Sequence, residues 1–102
     1  MKIAWTTTET LAQAKILAKQ VIQARLAACS QISSPITSIY HWDGKIQEST
    51  EFRITFKLQK STQLALKQLV LKEHPYDTPQ WVVADLSEVS EEYQAWVESE
   101  TS

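Results

Sequence analysis

At 102 residues the chain is sized for a single domain with one core and no need of staples. Its composition, 43% hydrophobic and 22% charged, is that of a soluble globular protein, and a net charge of −2 with dispersed cations leaves no electrostatic footprint for nucleic acid. No apolar run is long enough to cross a bilayer and Met1-Lys2 begins no signal peptide, so no membrane partner is expected. The only cysteine, Cys29, cannot close an internal disulfide, which makes a cytoplasmic location the expectation.

Lys2 to Thr7 reads as a short strand with Ile3 and Trp5 on one face. Thr10 followed three residues later by Gln13 fits a capping box. The run from Leu11 to Leu26 then places Leu11, Ala14, Leu17, Ala18, Val21, Ile22 and Leu26 at helical spacing, opposite Lys15, Lys19, Gln20 and Gln23. This predicts an amphipathic helix lying on a sheet.

The stretch from Arg25 to Gln59 reads as two long strands joined at Asp43-Gly44. Gly44 is the only glycine, and Asp-Gly between β-forming runs is a strong signal for a type I′ hairpin, whose central residues both need φ > 0. The second strand alternates Phe52, Ile54, Phe56 and Leu58 against Glu51, Arg53, Thr55, Lys57 and Gln59. One face belongs to a core, and the use of the other is the functional question. Counting outwards from the turn sets Trp42 opposite Lys45 and Ile39 opposite Glu48, but carries Ile32 onto the polar face. One extra residue near Ser33-Ser34-Pro35, a bulge at a place that tolerates proline, restores the pattern. It sets Ile32 opposite Ile54, Ala28 opposite Leu58 and Cys29 opposite Lys57.

Ser61 and Thr62 are candidate caps for a second helix with Ala65, Leu66, Leu69 and Val70 as its buried stripe. Pro75 stops it, and His74-Pro75-Tyr76-Asp77-Thr78-Pro79 is stiffened by two prolines. Trp81 to Leu86 is expected as a strand covered on both faces. Ser90 would cap a last helix with Tyr93, Trp96 and Val97 as its stripe. The order β-α-β-β-α-β plus a C-terminal helix is an α+β, ferredoxin-like pattern with an antiparallel sheet and a long hairpin between its second and third strands.

Few residues carry recognisable chemistry. Cys29 is either core filler or, beside Lys57, a thiol whose thiolate form is favoured. His74 is either a metal ligand or general acid-base, or a histidine bonding to the last helix carbonyls. His41 reads as a solvated strand residue. There is no HExxH, no CxxC, no glycine-rich phosphate loop and no nucleophile elbow, so no catalytic constellation and no preformed zinc site is expected. Four tryptophans exceed what one small core needs, and Tyr40 and Trp42 near a projecting hairpin tip predict a contact with another copy of the chain.

Several motifs together resemble the CutA family of divalent-cation tolerance proteins: Arg25-Leu26-Ala27-Ala28-Cys29, the run from Thr37 through Tyr40-His41-Trp42-Asp43-Gly44 to Ile46, Glu51, Lys57, His74-Pro75-Tyr76-Asp77-Thr78-Pro79, and Tyr93-Gln94-Ala95-Trp96. The likeness runs from about Ile3 to Val97. It implies a ferredoxin-like subunit in a compact homotrimer, with hairpins pairing between subunits and pockets between them in the manner of PII-type signalling proteins. It also implies a role in tolerance of divalent metals such as copper. On that basis His74 and Glu73 are candidate metal ligands, with copper or another divalent cation as the candidate ion. Cys29, Lys57, Arg25, Tyr40, Trp42 and Tyr76 are candidate pocket residues, and Tyr40, Trp42, Ile39 and Trp96 candidate oligomer contacts. Thr6 stands where members with a proposed copper site carry a cysteine, and Gln80 where a glutamate is common. Three functions follow: a trimeric metal-response protein without turnover, a PII-like module binding a small anion or metabolite, and an enzyme using Cys29.

Overall fold

The computed structural model describes all residues from Met1 to Ser102 as a mixed α/β fold with an antiparallel sheet and three α-helices. The elements are β1 (Lys2–Thr8), α1 (Leu11–Gln23), β2 (Cys29–Ile32), β3 (Ile36–Trp42), β4 (Lys45–Leu58), α2 (Gln63–Glu73), β5 (Val82–Asp85) and α3 (Glu91–Glu100). The strands lie in the order β2-β4-β1-β5, with β3 paired to the outer part of β4. No helix is long and apolar enough to cross a membrane.

The expected register is the observed one from Cys29 onwards, although the ladder does not reach Ala28, which was expected opposite Leu58. Trp42 faces Lys45, Ile39 faces Glu48 and Ile36 faces Glu51, whereas Cys29 faces Lys57 and Ile32 faces Ile54. Between the two ladders three residues, Ser33 to Pro35, oppose only Phe52 and Arg53. The single predicted strand is therefore two, β2 and β3. At the break the Ser33 N–H donates to the Arg53 carbonyl and the Arg53 N–H donates to Ser33 Oγ, so a hydroxyl replaces the backbone acceptor lost to the extra residue. At the tip Asp43 and Gly44 have φ of 53° and 73°, the left-handed pair a type I′ turn requires.

The core lies between the sheet and α1 with α2. Ala4, Ile54, Phe56 and Leu58 meet Ala14, Leu17, Val21, Leu66 and Val70, all buried. The capping box forms: the Gln13 N–H donates to Thr10 Oγ1 at 3.1 Å and the Thr10 N–H to Gln13 Oε1 at 3.2 Å. Helix α1 stops three residues before the predicted end because Arg25 adopts φ 56°. The Arg25 N–H then bonds to the Ile22 carbonyl and the Leu26 N–H to that of Val21, a Schellman closure with arginine at the position glycine favours.

Other expectations are corrected. Neither Thr62 nor Ser90 caps its helix with its side chain. Thr62 Oγ1 instead donates to the Leu26 and Gln59 carbonyls, tying the start of α2 to the end of α1. Ala65 is exposed rather than part of the α2 stripe. The apolar run at Trp81–Leu86 forms the sheet edge, not a strand covered on both faces, and Val82 is 45% exposed. Lys2 pairs with Asp85 to hold that edge to β1. Helix α3 covers the base of the second sheet face: Tyr93 meets Cys29, and Gln59 Nε2 donates to Thr101 Oγ1.

Candidate functional site

Alternation on β4 assigns Ile54, Phe56 and Leu58 to the core and sends Glu51 and Arg53 to the opposite face. On the outer ladder Ile36 is opposite Glu51, Ser38 opposite Ser49 and Tyr40 opposite Gln47, so Ile36, Ser38, Tyr40 and Trp42 share that face. The segment from Pro75 to Gln80 passes in front of it. Together they enclose a cleft of about 880 Å³, whose lining includes Tyr40, Trp42, Glu51, Arg53, Tyr76 and Asp77.

His74 anchors the strap. It is 8% exposed, and its ring has two partners. The Tyr76 N–H donates to Nδ1 at 3.1 Å, so Nε2 carries the ring proton and donates to the Thr7 carbonyl at 2.8 Å. Burial pushes the imidazole pKa down, against the opposing pull of the Thr7 bond and the Glu51 charge. Neutral His74 thus fixes the turn that carries Tyr76. The Tyr76 hydroxyl donates to Glu51 Oε2 at 2.9 Å, and its ring lies 4.7 Å from that of His74. Burial first, and then the bond to Glu51, raise the Tyr76 phenol well above its ordinary value.

The candidate metal pair is not assembled. Both His74 nitrogens are engaged, while adjacent Glu73 is exposed on α2. No three histidine, cysteine, aspartate or glutamate side chains converge anywhere in the chain. The histidine was expected as a metal ligand or general acid-base, or else bonded to the last helix carbonyls; its ring does not bond to those carbonyls and instead reaches the end of β1. Thr6, at the strand end, is fully buried and its hydroxyl has no hydrogen-bond partner.

The candidate pocket residues divide into two groups. Tyr40, Trp42 and Tyr76 line the cleft, whereas Cys29, Lys57 and Arg25 do not. Lys57 lies four residues beyond Arg53 on the same face, about 13 Å along the strand. Although Cys29 and Lys57 are register partners, the Lys57 ammonium donates to Gln31 Oε1 at 2.6 Å and the Cys29 sulfur meets the Tyr93 hydroxyl at 3.4 Å. That hydrogen bond, and then burial, push the Tyr93 phenol up to about 12. Arg25 donates to the Glu100 carbonyl and pairs with its carboxylate at 3.6 Å. Of the candidate oligomer contacts, Ile39, Tyr40, Trp42 and Trp96 are all exposed, Ile39 at 68% and Trp42 at 55%. Glu51, Arg53 and Thr7 emerge as cleft residues, although the sequence marked Arg53 only as part of a polar face, Thr7 only as a strand end and Glu51 only as a polar-face and family-motif residue. The alternation on β4 was the available signal, but nothing in it placed the strap.

An antiparallel sheet with α1 and α2 on one face, α3 and a proline-held strap on the other, and one strand prolonged into a projecting hairpin has the overall architecture of solved divalent-cation tolerance proteins. The family model described as CutA1 divalent ion tolerance protein matches residues 2–100, and the chain belongs to that family. The divalent-cation tolerance protein CutA of Yersinia pestis is 35% identical over 86 residues, which span 84% of this chain and 72% of the relative. The CutA structure from Synechococcus elongatus superposes with a TM-score of 0.95 at 36% identity, covering 99% of this chain and 89% of the other. The divalent ion tolerance protein CutA1 of Ehrlichia chaffeensis gives 0.96 at 30% identity, covering 99% and 94%.

Proposed function

We propose that this chain is the subunit of a homotrimeric divalent-cation tolerance protein of the ferredoxin-like type, acting in the response to copper or another divalent cation, in the cytoplasm and without catalytic turnover. The observation that carries the assembly is the hairpin tip. Ile39 and Ile46 are 68% and 70% exposed on one face, and Tyr40 and Trp42 are 42% and 55% exposed on the other. A projecting two-stranded ribbon that displays apolar side chains on both faces is marginal in water by itself and gains stability against a neighbour. Size-exclusion chromatography with light scattering tests this: three times the chain mass at micromolar concentration is expected, and a monomer refutes it.

The cation reading is supported by the relatives' shared description rather than by a donor set within one chain. Coordination by His74 requires Nδ1 to release the Tyr76 amide or Nε2 to release the Thr7 carbonyl. Calorimetry of the metal-free protein with copper and zinc tests it, and binding through this residue is lost in His74→Gln. The PII-like alternative lacks a favouring observation, since Arg25 and Lys57 are already occupied by Glu100 and Gln31.

A further inference from the structure

The cleft between the hairpin and the Pro75–Gln80 strap holds a charged group without a partner. The chain's ion pairs are Lys2–Asp85 and Arg25–Glu100, and the Arg53 guanidinium takes part in neither. It makes no side-chain hydrogen bond; only its backbone amide donates, to Ser33 Oγ. Glu51, two residues along the same face, is held by the Tyr76 hydroxyl through Oε2 instead of pairing with Arg53. Two opposite charges therefore line one cleft without neutralising each other. Asp77, on the strap, adds a second carboxylate.

This arrangement selects among ligand classes. A simple anion on Arg53 would meet the carboxylates of Glu51 and Asp77, and a simple cation on those carboxylates would meet Arg53. A zwitterion satisfies both. The remaining walls mix polar residues, Thr7, Ser38, Thr78 and Gln80, with apolar ones and the rings of Tyr40, Trp42 and Tyr76, and about 880 Å³ is ample for a small molecule. The strap is fixed from below by His74, so the Tyr76 ring and the Glu51 carboxylate are held in position before a ligand arrives. We propose that this cleft binds a small zwitterion bearing a planar ring, an aromatic α-amino acid in chemical class. Its carboxylate lies on the Arg53 guanidinium, its ammonium on Glu51 and Asp77, and its ring against Tyr40, Trp42 and Tyr76.

The proposal is independent of the cation reading. Tyr40 and Trp42 also belong to the surface assigned to subunit contacts, so the full-length protein is tested in its solution assembly, with its mass measured alongside. Calorimetry uses L-tryptophan, tryptamine and indole-3-propionate as probes, which differ only in the charged groups. Saturable binding of L-tryptophan is expected, with each singly charged analogue at least about tenfold weaker. Arg53→Gln is expected to weaken L-tryptophan by about tenfold or more while leaving tryptamine unchanged. Glu51→Gln, which keeps an acceptor for the Tyr76 hydroxyl, reverses that preference. No binding of L-tryptophan up to about 10 mM, equal binding of all three probes, or an Arg53→Gln protein that binds as before would each overturn the assignment.

Discussion

Strand β4 spends its 14 residues in two environments. From Phe52 to Leu58 it is central in the sheet, with β2 on one side and β1 on the other, and Ile54, Phe56 and Leu58 are wholly buried. From Lys45 to Thr50 only β3 accompanies it, and every residue but Ser49 is exposed. The base is completed by its own helices; the tip is not completed by anything in the chain. Apolar residues occur in both halves, so the difference is in what covers them. The molecule reaches 45 Å along its longest axis against 25 and 23 Å across it, because the tip projects beyond the base.

The largest expected contrast follows directly. Phe56→Ala leaves a cavity beneath α1 and α2 and should cost about 3–5 kcal/mol, read by urea denaturation at fixed protomer concentration. The double change Ile39→Lys and Ile46→Lys should leave the fold of the isolated chain within about 1 kcal/mol, since both sites are open to solvent. Light scattering should show that protein as a monomer. If the tip variant unfolds as Phe56→Ala does, the two halves are one cooperative unit and the contrast fails.

The junction of the two regions is the strap, and there pH is the lever. His74 has its pKa lowered by burial, so the unfolded state binds its proton more readily than the folded state. Stability contributed by the neutral ring is fully present above its unfolded value near 6.5 and is lost as pH falls below that towards the folded value. Protonation also removes the Nδ1 acceptor that holds the Tyr76 amide. Thermal melts between neutral and mildly acidic pH should show this decline in the native protein and a flatter profile in His74→Gln. An equal decline in both would locate the acid sensitivity elsewhere.

Legibility differed between the regions for physical reasons. Inner β4 could be read because period-two alternation and a buried face reinforce each other, and the same logic located the extra residue between Ile32 and Ile36. The hairpin turn was legible because Asp43-Gly44 requires positive φ. The end of α1 was overrun, since the apolar spacing continues to Leu26 and arginine does not advertise a left-handed residue. The cleft was legible only in part. Tyr40, Trp42 and Tyr76 stood out as aromatics, but the Tyr76–Glu51 bond joins residues far apart in sequence through a tertiary contact that no spacing encodes. His74 was noticed for its chemistry and turned out to spend both nitrogens on the backbone.

Thr6 tests the base from within. Its buried hydroxyl lacks a partner, so Thr6→Val replaces a desolvated polar atom by a methyl of similar shape. A gain of about 1 kcal/mol in urea denaturation is expected, and a loss would mean that a partner for the hydroxyl forms in solution.

The smallest effect separates backbone from side chain at Arg25. The left-handed conformation costs a non-glycine residue roughly 1–2 kcal/mol, and only glycine takes it freely. What the arginine returns is a bond to the Glu100 carbonyl and a 3.6 Å ion pair, both exposed and so worth about 1 kcal/mol at most. Arg25→Ala keeps the strained backbone and loses the tie to α3, and should destabilise by a few tenths to about 1 kcal/mol. Arg25→Gly loses the same tie but relieves the backbone, and should be about 1 kcal/mol more stable than Arg25→Ala. Because that difference compares two proteins that both lack the side chain, it isolates the cost of the helix closure. If the two proteins melt together, the closure carries no strain, and the early end of α1 must be set by Thr62 and Leu26 instead.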